Sequence, residues 1–145
     1  MHCALKDIDL PSSVVDLDLA GNDIVRIDLR GLPRLKRLVI WENELEVLIV
    51  NDLKELEILA CQSNGLRALD LSGNPRLQRL YCYDNPMVAL DISANPSITI
   101  LSVARNGQQN SLQRLYIPAG KTKRDYKGSE SGELSWLSEI EVINK

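Results

Sequence analysis

Apolar residues recur along this chain in short alternating groups, and the groups repeat at a constant distance. Val14, Leu35, Leu56, Leu77 and Ile98 form one column with a spacing of 21 residues. Leu17, Leu38, Leu59, Leu80 and Leu101 form the next, and Leu19, Ile40, Cys61, Cys82 and Val103 a third. Asn stands on the same period at Asn22, Asn43, Asn64, Asn85 and Asn106. The other half of each unit carries its own columns: Ile24, Leu45, Leu66 and Met87; Ile27, Leu48, Leu69 and Leu90; Leu29, Val50, Leu71 and Ile92. The apolar-x-apolar alternation within each half has the two-residue period of a strand, not the 3.6-residue period of a helix. Two strands in a unit of 21 residues leave little length for a helix.

A single such coil has one apolar stripe and nothing to bury it against. Stacking the coils turns the stripes into a continuous column, each coil advancing by about 4.8 Å, the spacing of neighbouring strands. The pattern therefore predicts a mainly-β solenoid of about five 21-residue coils, with parallel strands on two sides and little helix. The Asn column has a structural reading. An inward carboxamide both donates and accepts, so it can satisfy backbone groups left unpaired where the coil bends.

The full unit, Leu-x-x-Leu-x-Leu-x-x-Asn, resembles the leucine-rich repeat. In particular the chain resembles short-period bacterial leucine-rich repeat proteins whose 21-residue unit is two nested halves. The segment LRALDLSGNPRLQRLYCYDNPMVALDISANP, residues 66–96, carries that resemblance. It implies a non-catalytic protein-binding module, secreted or displayed at a bacterial surface and used in adhesion or host interaction. It implies no cofactor.

The repeat breaks at both ends. Leu5, Ile8 and Leu10 fit a half-repeat of shortened spacing, so residues 1–13 are expected to form an N-terminal half-repeat or cap before the repeats at 14–117. After Asn106 the apolar register fails, and an insertion of four residues restores it at Leu112, Leu115 and Ile117; Gly107 to Ser111 reads as a bulged loop. Residues 118–145 are not repeat. The last coil of a solenoid exposes an apolar face and a strand edge, so a cap is expected there. Pro118, Ala119, Gly120, Tyr126 and Trp136, followed by Ile140, Val142 and Ile143, resemble the C-terminal closure of surface leucine-rich repeat proteins, which is a turn, a short helix carrying a Tyr, a Trp and a final strand. The match implies that the natural C-terminus is present, and the polar insert at 128–133 implies a shortened helix.

Composition narrows the function without naming it. Of 145 residues 44% are hydrophobic but 4% are aromatic, with no Phe, so the core is aliphatic and thin. A net charge of -3 argues against nucleic acid as a partner. No apolar run approaches the length that spans a bilayer, and the opening Met-His-Cys-Ala-Leu-Lys-Asp is no signal peptide. No membrane insertion is expected, and the expected state is a monomer. The absent leader fits either a cytosolic chain or a processed one. The three cysteines, Cys3, Cys61 and Cys82, have neither disulfide-framework nor zinc spacing, and the last two sit in an inward column as small hydrophobes.

Catalytic and metal-ligating residues are expected to be absent. The one His, His2, is far from any nucleophile pattern. Asp28, Asp70 and Asp91 share a column, interrupted by Ile49, that could in principle form a carboxylate pair or a Ca²⁺ site. The position is the outward x of Leu-x-Leu, where Asp is habitual in this repeat class, so the solvated reading is preferred. The basic residues Arg26, Arg30, Arg34, Lys36 and Arg37 are interleaved with Asp23 and Asp28 and also read as a solvated face. The stronger candidate is the outward face of the first-half strands. There Arg37, Val39, Trp41, Ile58, Arg79, Tyr81 and Tyr83 put apolar, aromatic and guanidinium groups where folding asks only for polarity. These residue types dominate protein-binding hot spots. The expected partner is a protein, with a glycan or matrix ligand as the alternative because Trp and Tyr rings also stack on sugars.

Overall fold

The computed structural model describes residues 10–104, 111–128 and 140–145. It is a β-solenoid. The first-half strands β1 (Asp16–Asp18), β3 (Arg37–Val39), β5 (Ile58–Ala60), β6 (Arg79–Tyr81) and β8 (Ile100–Ser102) form one parallel sheet in the order β1-β3-β5-β6-β8. Its register reproduces the sequence columns: Leu17 pairs with Leu38, Leu38 with Leu59, Leu59 with Leu80 and Leu80 with Leu101. The Leu of every one of these strands is buried while its flanking residues point the other way.

The opposite side is less regular than the pattern predicts. Strands β2 (Arg26–Asp28) and β4 (Val47–Ile49) form a pair. Strands β7 (Ala89–Asp91), β9 (Arg114–Ile117) and β10 (Glu141–Asn144) form a three-stranded sheet in the order β10-β9-β7. Between them, residues 68–70 form no strand. Side-chain bonds hold the chain here instead. The buried Asn74 donates to the carbonyls of Val50 (2.8 Å) and Leu53 (3.0 Å). Gly73 lies so close to the preceding coil that a Cβ would fall 1.4 Å from the Asn51 carbonyl oxygen.

The Asn column works as the sequence suggests, and across coils as well as within them. The Asn64 amide nitrogen lies within hydrogen-bond distance of the carbonyls of Cys61 (3.1 Å) and Gln62 (3.2 Å) in its own coil and of Ile40 (3.0 Å) in the coil before. Its Oδ1 accepts from the Leu45 N–H at 3.0 Å. Asn43 and Asn85 repeat this set one coil earlier and one coil later. Asn22, in the first described coil, reaches only Leu19 and Ala20 of its own coil. Asn106 lies outside the described residues. The residue before each of Asn22, Asn43, Asn64 and Asn85 takes a left-handed backbone: Gly21 at φ 67°, Glu42 at 51°, Ser63 at 55° and Asp84 at 53°.

The four-residue offset after the fifth coil is present in the structure, since β9 pairs with β7 so that Leu115 stands beside Leu90. The loop that absorbs it lies outside the described residues apart from Ser111. Beyond β9, Pro118 and Gly120 (φ 79°) make a turn, with the Lys121 N–H on the Pro118 carbonyl at 3.1 Å. The expected helix is a three-residue 3₁₀ turn, Lys123–Asp125, capped by reciprocal bonds between Thr122 and Asp125. Tyr126 is the residue that ends this turn, so it does not lie within a helix as expected. The chain then crosses to the first sheet, where Lys127 accepts from the Leu101 N–H at 2.9 Å and donates to Thr99 at 2.8 Å. Trp136, His2, Cys3, Leu5 and Ile8 lie outside the described residues.

Candidate functional site

The outward side chains of the first sheet stand in three rows along the register. One row runs Asp16, Arg37, Ile58, Arg79, Ile100, and the middle one Asp18, Val39, Ala60, Tyr81, Ser102. The third continues the same period through Ala20, Trp41, Gln62, Tyr83 and Ala104. Strands about 4.8 Å apart bring side chains of neighbouring rows into contact. Part of the middle row is consequently covered. Val39 is 5% exposed, which corrects the expectation that it projects into water; Ala60, Ser102 and Ala104 are buried too. Ile58, Ile100, Trp41, Tyr81 and Tyr83 are half-buried. Part of the apolar character of this face thus serves the packing of the sheet.

What remains open is shaped. Ala60 is the smallest side chain between Val39 and Tyr81, and the surface dips there into an open depression of about 450 Å³. Its lining brings together six of the seven residues singled out in the sequence, Arg37, Val39, Trp41, Ile58, Arg79 and Tyr81, with Asp18, Ala60 and Gln62 added; Tyr83 does not line it. The electrostatics are uneven. Arg37 is paired with Asp16 at 2.7 Å, and Asp18 accepts from the Ala20 N–H at 3.1 Å. Arg79 stands in register with Ile58 on one side and Ile100 on the other, and is exposed.

The Asp column has a different occupation. Each carboxylate closes a turn at the end of its half-coil: Asp28 accepts from the Arg30 N–H (3.1 Å), Asp70 from Ser72 (3.0 Å) and Asp91 from Ser93 (2.9 Å). These bonds hold the carboxyls below their ordinary range. For Asp28 the main cause is the Arg30 side chain, and for Asp70 the Ser72 hydroxyl. At Asp91 partial burial opposes the shift, but bonds from Lys145 and Ser93 outweigh it. Lys145 sits 2.6 Å from that carboxylate and 4.3 Å above the Tyr116 ring. Among the described residues no three His, Cys, Asp or Glu side chains converge as metal ligands. Of the basic residues, Arg30 pairs with Asp28 and Lys36 with Glu57.

Cys61 and Cys82 are free and fully buried, stacked in one inward column. Burial pushes the Cys61 thiol up to about 12 and the Cys82 thiol well above its usual value. Tyr126 is buried with its hydroxyl unpaired, and burial, with Asp125 nearby, raises it to about 12.

One inward column, Leu32, Leu53, Asn74 and Asn95, escaped the sequence reading. Asn74 and Asn95 are buried and form a second, shorter Asn ladder: Asn95 donates to Leu71 (2.9 Å) and to the Asn74 carbonyl (2.9 Å). The signal was the Asn-Pro pair repeated at 74–75 and 95–96, hidden because Leu32 and Leu53 occupy the same column in earlier coils.

No protein-family model matches the sequence, and no curated protein matches it. In structure the chain is similar to the functional domain of InlJ from Listeria monocytogenes, which includes a cysteine ladder; the TM-score is 0.65 at 23% identity, over 92% of this chain and 36% of that one. The fold is a leucine-rich repeat solenoid. This leucine-rich repeat chain spans only about a third of the length of the protein it matches. Among its described residues no helix is long and apolar enough to cross a membrane.

Proposed function

We propose that this leucine-rich repeat chain is a non-catalytic protein-binding module, part of a bacterial surface or secreted protein, that recognises its partner through the sheet β1-β3-β5-β6-β8. One observation carries the reading: Trp41, Tyr81, Arg37 and Arg79, residue types that dominate binding hot spots, surround a single depression floored by Ala60. The Asn ladder fixes the backbone beneath them through bonds between coils, so the face is preorganised and loses little conformational freedom on binding. The Asp column is tied up in turns, which favours binding over acid–base chemistry. Residues 118–145 act as the cap, with β10 adding to β9 and Lys127 covering the edge of β8.

A glycan or matrix ligand is the second reading, favoured by the two rings of Trp41 and Tyr81 at one depression. The test is affinity capture with wild type and with a Trp41→Ala/Tyr81→Ala double variant of equal stability. A protein retained by the wild type and lost by the variant supports the module. Equal retention by both moves the interface elsewhere, and sugar-dependent retention favours the second reading.

A further inference from the structure

The charged groups that line the depression, Asp18, Arg37 and Arg79, are unequally paired: Asp18, three strands away from Arg79, holds the Ala20 N–H, and it is Arg79 that specifies what fits beside it. In the row Asp16-Arg37-Ile58-Arg79-Ile100, Arg37 finds an acid on the neighbouring strand and is neutralised at 2.7 Å. Arg79 finds isoleucine on both neighbouring strands, and among the described residues its guanidinium has no ion-pair or hydrogen-bond partner. Cross-strand neighbours normally compensate a charge in a sheet, and here the neighbouring strands offer none. The unpaired guanidinium lines the same depression as the apolar side chains of Ile58, Ala60 and Tyr81. A planar guanidinium on an apolar surface is matched best by a carboxylate, which accepts two parallel hydrogen bonds from it.

Resting on the reading of this face as the interface, we propose that it recognises an extended peptide segment carrying an apolar side chain with a carboxylate close beside it. The apolar side chain seats over Ala60, against Ile58 and Tyr81. The carboxylate, an Asp or Glu side chain of the partner, pairs with Arg79. The hollow supplies contact area, and the charge sets register and discriminates against basic or neutral segments.

The experiment is selection of a displayed random heptapeptide library on the immobilised full chain. It is followed by titration of the selected peptides, made synthetically, against wild type, Arg79→Gln, Arg79→Glu and Ala60→Leu, each first checked for an unchanged melting temperature. The expected result is enrichment of Asp or Glu within two residues of Leu, Ile, Met or Phe. Affinity falls at least about tenfold, the scale of a hot-spot contact, in both Arg79 variants, and selection on Arg79→Glu turns to Lys and Arg. Loss of binding in Ala60→Leu with unchanged affinity in the Arg79 variants keeps the face and overturns the carboxylate. Tight peptides indifferent to Ala60→Leu overturn the face itself. Selection of neutral or basic sequences, or of none while a neutral oligosaccharide binds, overturns the proposal.

Discussion

Replacing Asn64 by Ala removes one rung of the ladder that joins two coils. The Asn64 amide hydrogens serve three carbonyls, those of Cys61, Gln62 and Ile40. Two of these keep a second partner, since Cys61 still accepts from Asn85 and Ile40 from Asn43. The Leu45 N–H, in a fully buried residue, loses the Oδ1 acceptor it has at 3.0 Å. Orphaning one buried donor costs about 1–3 kcal/mol, and losing the two bonds that one NH₂ can make adds about 1 kcal/mol each, giving about 3–5 kcal/mol. Asn22→Ala is the internal control. Asn22 is exposed and bonds only within its own coil, so its loss should cost no more than about 1 kcal/mol. Asn64→Asp separates the two halves of the function: it keeps an acceptor for Leu45 but sets a carboxylate against three carbonyls, and should be as damaging as Ala at neutral pH and less so in acid. Urea unfolding followed by circular dichroism, with wild type alongside, measures all three. Equal losses at Asn64 and Asn22, or a loss at Asn64 below about 0.5 kcal/mol, the scale of ordinary surface changes, would refute the ladder as the bond between coils.

Gly73→Ala must push a methyl into the Asn51 carbonyl, so it should destabilise by about 1–3 kcal/mol or more. Gly31→Ala, one column-mate with nothing within 4 Å, should stay within about 0.5 kcal/mol in the same urea titration. Cys61 and Cys82 should resist a water-soluble thiol reagent in the native protein at pH 8 and react fully in urea, because burial holds both thiols protonated; rapid native labelling of both would contradict the inward column. The carboxyls of Asp28, Asp70 and Asp91 lie below the ordinary 3.8 in the folded chain. Their stabilisation is therefore complete above about pH 5 and is lost as pH falls through 3.8 toward the lowered values. Melting temperature should be level from pH 7 to 5 and drop below pH 4, and Asp91→Asn should make that drop shallower; a variant with an unchanged acid limb would remove the turn bonds from the stability of the coil.

The unbroken apolar columns were legible from one chain because each such position is fixed by its own residue and the period: Leu38 is inward whatever its neighbours are. The inward column that changes from Leu32 and Leu53 to Asn74 and Asn95 was not. The outward half depends on what stands on adjacent strands, which a linear pattern does not weigh. Val39 reads as exposed by alternation, yet it lies between the rows that carry Arg37 and Trp41 and is covered. Ala60 reads as unremarkable, although its small size between Val39 and Tyr81 makes the depression. The break at residues 68–70 was hidden because Leu69 and Leu71 keep the columns while Gly73 and Asn74 change how the backbone is held. The left-handed column passed unnoticed because only Gly21 declares it, whereas Glu42, Ser63 and Asp84 take the same conformation under the constraint of the coil.

The most direct test of the proposed function is a calorimetric titration of the captured partner against wild type, Trp41→Ala and Asp70→Ala. Trp41 lines the depression, and Asp70 lies on the other side of the coil with its carboxylate closing a turn. We expect Trp41→Ala to weaken the complex by at least about 1–2 kcal/mol, the scale of a hot-spot contact, and Asp70→Ala to leave it within about 0.5 kcal/mol of wild type, as a surface change away from an interface does. Loss of affinity in Asp70→Ala with none in Trp41→Ala would contradict the choice of face.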